Sequence, residues 1–244
     1  MRIALYGYGK MGKAIEQAAL AKGHEVPLKV GSANAGTPPV ACDIAIEFSR
    51  PEQALANMRL CLEAKVPVVV GTTGWYDHLN EVRALVQRTG GTLLWASNFS
   101  IGVNLFFKLN RYLAGLMDPH PRYSVHIDEV HHVHKLDAPS GTAITLARDI
   151  DLKSQRYSHW KIQEQGQEPP APVPVPAPIP VPIRSERTGD VPGKHSITWT
   201  SPEDRIIITH DAFGRQGFAA GAVVAAEWLH GRQGLFTMED VLGM

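Results

Sequence analysis

The N-terminal segment constrains this chain most. Arg2 to Tyr6 is a short apolar run, and it ends in Gly7-Tyr8-Gly9-Lys10-Met11-Gly12. A helix-patterned stretch follows from Lys13 to Lys22, with Ala14, Ile15, Ala18 and Ala19 on one side. Gly23 stops it, and Glu25 to Val30 reads as a second strand. Strand, glycine turn, helix and strand within about 30 residues form the dinucleotide-binding unit. Gly7 permits the tight turn, Gly9 lets a pyrophosphate approach the backbone, and Gly12 brings helix and strand together. The free N–H groups and partial positive charge at the helix start suit phosphate.

The alternation continues through the first hundred residues. Asp43 to Phe48 reads as a strand, and Ser49-Arg50-Pro51-Glu52 reads as a helix start. There Ser49 is expected to cap the helix, with Glu52 closing a capping box. Pro67 to Val70 is a strand ending in Gly71-Thr72-Thr73-Gly74. A helix from about Tyr76 to Arg88 and a strand from Thr92 to Trp95 follow, closed by Ser97-Asn98-Phe99-Ser100. These turns fall at carboxyl ends of strands, so one edge of a parallel sheet is expected to carry Gly7 to Gly12, Phe48, Ser49, Gly71, Thr72, Thr73 and Asn98. Lys29 to Thr37 contains no Asp or Glu, so the acid that usually grips an adenosine ribose is missing. Ser32 and Asn34 are the polar groups at that corner. NADH and NADPH both remain open as cofactors.

After Ser100 the rhythm changes. Ile101 to Leu116 is one amphipathic helix, and later segments read as strands: Tyr123–Val130, Ser196–Thr200 and Arg205–His210. A second, α+β domain with a mostly antiparallel sheet is expected. Between Pro169 and Pro182 eight of 14 residues are proline, which predicts extended polyproline-like chain outside any central strand. Ala219 to Leu229 is a small-residue helix with Arg215 just before it, and Leu235 to Val241 reads as a short helical piece.

The densest chemistry lies in Glu129 to Thr142, EVHHVHKLDAPSGT. His131 and Lys135 can carry protons and fixed positive charge. Ser140, Gly141 and Thr142 at a helix start suit a carboxylate. Three readings compete: a metal site, ordinary loop polar groups, and acid–base work on an anionic substrate. Adjacent histidines on a strand point to opposite faces, and no HExxH or cysteine pair is present, so no metal ligand is assigned.

The remaining constraints are exclusions. Formal charge is zero, from 24 basic and 24 acidic residues among 244, which argues against a nucleic-acid partner. Cys42 and Cys61 are expected to be buried thiols in a reducing compartment. No leader precedes the first strand, and no apolar stretch approaches the ~20 residues of a membrane span. A soluble, cytoplasmic protein without a membrane partner is expected.

Taken together, these motifs resemble the 4-hydroxy-tetrahydrodipicolinate reductase (dihydrodipicolinate reductase) family. The resemblance rests on GYGKMG, Phe48 to Glu52, Gly71 to Gly74, and Asn98-Phe99-Ser100 with Gly102-Val103-Asn104. Above all it rests on Glu129-x-His131-His132-x-His134-Lys135-x-Asp137-Ala138-Pro139-Ser140-Gly141-Thr142-Ala143. Gly189 to Gly193, His195, His210, Ala212, Arg215, Phe218, Gly221 and Ala222 also match. It implies an α/β fold with a Rossmann-type dinucleotide-binding domain, 1–101 plus 215–244. A substrate and oligomerisation domain, 102–214, would carry the proline-rich excursion 169–182. It implies reduction of the imine formed from 4-hydroxy-tetrahydrodipicolinate with NADPH and/or NADH, in the diaminopimelate route to lysine, by a homotetramer. His131 and Lys135 would be catalytic. His132, Ser140, Gly141 and Thr142 would bind the small dicarboxylate substrate. Gly7, Tyr8, Gly9, Lys10, Met11, Gly12, Phe48, Ser49, Gly71, Thr72, Thr73, Ser97, Asn98, Phe99 and Ser100 would line the cofactor site. A different NAD(P)-dependent oxidoreductase, or a catalytically silent nucleotide sensor, is the alternative.

Overall fold

The structure is a computed structural model that describes residues 1–163 and 178–243. The chain divides into two compact units, Met1–Asn104 with Arg215–Met244, and Leu105–Gly214.

In the first unit, β1 (Arg2–Tyr6), β2 (Glu25–Val30), β3 (Ile44–Glu47), β4 (Val68–Val70) and β5 (Thr92–Trp95) alternate with α1 (Lys10–Ala21), α2 (Pro51–Glu63) and α3 (Leu79–Thr89). The helix α4 (Ile101–Met117) follows β5, and from Leu105 on its residues belong to the second unit. The inner strands β1, β3, β4 and β5 are short and mostly apolar and buried, as a parallel sheet between helix layers requires, while the edge strand β2 is partly exposed. Ile3 and Leu5 of β1 join Ile15, Ile44, Ile46, Val69 and Leu94 in one core. Ala4 and Tyr6 face the opposite way, into a second core with Ala45, Met58, Cys61, Leu62, Val68 and Val70. The order of these strands, β5-β4-β3-β1-β2, reverses direction at β1, and each of their ladders is parallel. Ligands of such sheets bind beyond the carboxyl ends of the strands at that reversal. Cys61 is buried, whereas Cys42 is half-buried, so only one of the two thiols is enclosed as expected.

The C-terminal part adds α6 (Gln216–Leu229), β11 (Gly234–Phe236) and α7 (Met238–Val241) to this unit. Leu235 and Phe236 are therefore strand, not the helix their sequence suggests. They pair in parallel with Leu93 and Leu94, and that ladder outweighs their weak local preference.

The second unit holds β6 (Ser124–His131), α5 (Gly141–Lys153), β7 (Tyr157–Ile162), β8 (Ile179–Arg187), β9 (Lys194–Thr200) and β10 (Arg205–Asp211). Its sheet runs β10-β9-β6-β8-β7. The expectation of a mostly antiparallel sheet needs correction. β10–β9 and β9–β6 are antiparallel, but β6–β8 and β8–β7 are parallel.

β8 also corrects the reading of the proline-rich tract. Residues 169–177 lie outside the described residues, but Pro180 and Pro182 sit within an interior strand. They are tolerated because neither is asked for a ladder bond. The register with β6 starts at Ile127 opposite Ile183, just beyond Pro182. On the β7 side, bonds come from the residues flanking the two prolines. Ile179 N–H donates to Arg156 C=O (3.0 Å), and Ile183 C=O accepts from Gln163 N–H (2.9 Å).

Paired residues of neighbouring strands share a face. Val125 pairs with Trp199, Ile127 with Ile197, and Glu129 with His195. Across the other edge of β6, Ile127 pairs with Ile183 and His131 with Arg187. One face of the sheet is thus apolar at one end, where Leu146, Ala147 and Ile150 of α5 are also buried, and charged at the other.

Candidate active site

The carboxyl edge of the first sheet collects the expected turns. Gly7 has φ +91°, and a Cβ there would lie 2.0 Å from the Phe48 carbonyl oxygen, so the turns after β1 and β3 close directly on each other. Beside it Gly9 is open, with nothing within 4 Å of where its Cβ would stand. Gly9 caps α1 without a side-chain bond, leaving the first helical N–H groups turned outward. That is the cradle a pyrophosphate needs, and the residues fit a dinucleotide. The Phe48 ring packs against Gly71 and stands 5.6 Å from the Phe99 ring. Thr72 Oγ1 accepts from Ser49 N–H at 2.8 Å. Asn98 Oδ1 accepts from Ser100 N–H (2.9 Å), and Asn104 Nδ2 donates to the Asn98 and Ser100 carbonyls (3.0 and 2.9 Å). Thr73 and Ser97 lie in the same turns without a hydrogen bond of their own to the others, and Lys10 and Met11 open α1, with Lys10 exposed.

Two local expectations change here. Ser49 does not cap α2. The N-cap is Arg50, which makes no side-chain cap bond, while Pro51 does take the first turn. The Ser49 hydroxyl donates instead to Glu47, a fully buried carboxyl that also accepts from Asn57 Nδ2 (3.2 Å). Burial pushes the Glu47 carboxyl up, against the opposing pull of Ser49, Thr72 and Asn57. An unpartnered carboxyl oxygen inside the core costs more than an uncapped exposed helix end, so the acid takes the hydroxyl. At the β2 corner, Asn34 is consumed in shaping its own turn, accepting from Gly31 N–H (2.8 Å) and donating to Lys29 C=O (3.0 Å). The Lys29 ammonium is paired with Glu16 at 2.5 Å, and Tyr8 donates its hydroxyl proton to the same carboxylate.

The second unit carries the acid–base cluster at the charged end of its sheet. Glu129 is fully buried. Its Oε1 accepts from Arg187 Nη2 at 2.8 Å, and its Oε2 lies against His131 Nδ1. Burial alone would raise the Glu129 carboxyl; His131, Arg187 and Ser185 outweigh it and hold it at about 2. His195 packs edge-on to His131, with ring centroids 5.1 Å apart. Burial, reinforced by the charge of His131, pushes the His195 ring down to about 3, so it is neutral at physiological pH.

Beyond the strand the loop is stitched down. Thr188 N–H donates to His131 C=O (2.9 Å), and Val133 N–H donates to Gly189 C=O (3.2 Å). Lys135 Nζ donates to Asp137 Oδ1 at 2.8 Å, which holds that carboxyl below its ordinary range. His132 keeps its Nδ1 buried without a partner. Ser140 caps α5, accepting from Ala143 N–H at 3.2 Å, and shares a 2.9 Å hydrogen bond with His195 Nε2. Its hydroxyl is thus committed to shaping the turn, while the amides of Gly141 and Thr142 begin the helix.

His131, Lys135, His132, Ser140, Gly141 and Thr142 therefore share one loop and strand end. Glu129 entered the sequence reading only as the first residue of the motif, and Arg187 was absent from it. His195 was noted only as a matching residue. The useful signal was the period-2 row Val125, Ile127, Glu129, His131, which sets an acid behind the histidine on one face. The ligating atoms of Glu129, His131 and His195 lie within 4.8 Å of one another. The opposite-face argument covers His131 and His132, but it does not reach this grouping, which forms across strands. Here Glu129 accepts a hydrogen bond from Arg187 and forms an ion pair with His131, and His195 shares a hydrogen bond with Ser140, so each member of the cluster already has a partner.

A parallel sheet with a dinucleotide cradle, and a smaller mixed-sheet unit with convergent proton carriers, define a pyridine-nucleotide oxidoreductase. Comparison with known proteins narrows the class. The family model described as dihydrodipicolinate reductase, N-terminus, matches residues 1–99, and that described as dihydrodipicolinate reductase, C-terminus, matches residues 102–242. The chain belongs to the dihydrodipicolinate reductase family. A 4-hydroxy-tetrahydrodipicolinate reductase of Christiangramia forsetii is 43% identical over 244 residues, covering 99% of this chain and 98% of its own. One from Neisseria meningitidis serogroup A is 36% identical over 239 residues, covering 94% and 84%. Among solved structures, a dipicolinate-bound dihydrodipicolinate reductase from Paenisporosarcina sp. TG-14 shares the fold, with a TM-score of 0.73 at 23% identity over 97% of each chain. No helix among the described residues is long and apolar enough to cross a membrane.

Proposed function

We infer that this chain reduces 4-hydroxy-tetrahydrodipicolinate, through its dehydrated form, to tetrahydrodipicolinate with release of water, in the diaminopimelate route of lysine biosynthesis. The observation that carries the reading is the convergence of His131, Lys135 and the Ser140 to Thr142 turn in a chain matched to this family along its length. A reduced nicotinamide held by the first unit supplies hydride when bound. Gly7 to Gly12 hold its pyrophosphate, and Phe48, Ser49, Gly71 to Thr73 and Ser97 to Ser100 line its site. The second unit holds the dicarboxylate. The Gly141 and Thr142 amides and the His132 ring take its carboxylates, while Ser140 fixes the turn. His131 donates the proton, and Lys135 is the second donor. Hydride and proton together add across the double bond of the dehydrated substrate.

The corner after β2 offers no carboxylate to repel a 2′-phosphate, and Glu16 neutralises the nearby Lys29. Both NADH and NADPH are accordingly used. The assembly is a homotetramer built through the second sheet, and the enzyme works in the cytoplasm.

The test is loss of reduced-nicotinamide absorbance with freshly generated substrate, at matched NADH and NADPH. Folded protein that oxidises neither would refute the reading. His131→Gln should lower turnover about 10²–10⁴-fold, the usual worth of a general acid, with nucleotide affinity unchanged. Turnover near the parent level would remove His131 from that role.

A further inference from the structure

We propose that Glu129 and Arg187 form a single positioning device that holds the two proton carriers, His131 and Lys135, in one frame; this rests on the reductase reading above. The strand register creates it. Glu129 and His131 are successive residues on one face of β6, and Arg187 on β8 stands in register with His131. Oxygen Oε2 of the buried carboxylate faces His131 Nδ1, and Oε1 accepts from Arg187 Nη2 at 2.8 Å. The same Nη2 donates to the Asp137 carbonyl at 2.6 Å, and Asp137 Oδ1 takes Lys135 Nζ at 2.8 Å. The other arm, Nη1, donates to the Glu186 carbonyl at 2.7 Å and fixes the guanidinium on its own strand. One planar cation thus ties the acid behind His131 to the loop that carries Lys135.

The chemical consequence is orientational. A carboxylate against Nδ1 holds the proton of the neutral ring on that nitrogen and leaves Nε2 to exchange protons with substrate. The far side of the ring fits the same purpose. Gly193 has φ +154°, and a Cβ there would stand 3.0 Å from His131 Nε2, so glycine keeps that nitrogen uncovered. Arginine is the residue suited to this place, because a lysine ammonium lacks the fixed fork that reaches Glu129, Asp137 and Glu186 together.

Ring-nitrogen NMR on full-length protein with isotope-labelled histidine tests the device without substrate. His131 is assigned by the signal lost in His131→Gln. The expected result is one Nδ1–H tautomer in the parent protein and a mixture in Glu129→Gln. Turnover of Glu129→Gln should fall about 10- to 100-fold, the usual range for an orienting partner, with KM for the nucleotide unchanged. Glu129→Asp should recover part of that loss, and Arg187→Lys should lower turnover while leaving nucleotide affinity alone. A parent ring in the Nε2–H tautomer would overturn the proposal, even where no variant folds. So would a tautomer unaffected by Glu129→Gln, or full turnover in that folded variant. Parent protein that shows the Nδ1–H ring yet turns over no substrate would refute the reductase reading and leave the device standing.

Discussion

His195 makes the acid stability of the second unit calculable. The ring accepts no proton readily in the folded state, where its value is about 3 against an ordinary 6.5. Burial is the main cause. The charges of His131, His210 and Lys135 push the same way, and Glu129 opposes them. Ser140 strengthens the assignment. Its oxygen accepts from Ala143 N–H, so its own proton is free to donate to His195 Nε2, which a protonated ring would refuse. Between the two values the unfolded chain binds a proton that the folded chain does not, so stability is complete above 6.5 and falls as pH falls. Each pH unit in the window costs about 1.4 kcal/mol, so one such ring costs about 2 kcal/mol at about pH 5. Glu129, held at about 2 against an ordinary 4.5, adds its own loss only below 4.5. The assay is urea unfolding of parent and His195→Gln at about pH 7.5 and about pH 5. Glutamine can still meet Ser140 but cannot titrate. With m near 2 kcal/mol/M, the parent midpoint should drop about 1 M further than that of the variant. Equal drops would refute a neutral His195 and, with it, the assignment of Ser140 as its donor.

Two further perturbations probe the scaffolds under each site. Gly7→Ala places a Cβ 2.0 Å from the Phe48 carbonyl oxygen at φ +91°, so urea unfolding should show a loss on the order of 2–4 kcal/mol, with weakened nucleotide binding by titration calorimetry. Ser140→Ala removes the α5 cap and strands the buried His195 ring; thermal unfolding should report about 1–3 kcal/mol, while nucleotide affinity stays at the parent value.

Much of the first unit was legible because its signals are local. A glycine that must adopt φ +91° beside another strand's carbonyl leaves a mark at one position, and β2 and β5 fall on the residues their patterns indicate. The misreadings came where a distant partner overrode a local preference. Ser49 reads as a cap until the buried Glu47 carboxyl competes for its hydroxyl. Leu235 and Phe236 read as helix until β5 offers them a ladder. Pro180 and Pro182 read as strand breakers until the register shows that no bond is asked of them.

The candidate acid–base cluster divides along the same line. His131, Lys135 and Ser140 lie within one short segment, so their density shows at once. What fixes them does not: Arg187 is 58 residues from Glu129, and His195 lies on a third strand. Their meeting depends on register, and register is set by the apolar half of β6. Val125 opposite Trp199 and Ile127 opposite Ile197 must face the core, and all four are fully buried. A slip of one residue would turn those side chains outward, and would carry Glu129 and His131 to the other face with them. The hydrophobic end of the strand therefore determines which residues meet at its chemical end. A substitution such as Ile127→Ala, far from any proton carrier, acts on the site through the same pairing.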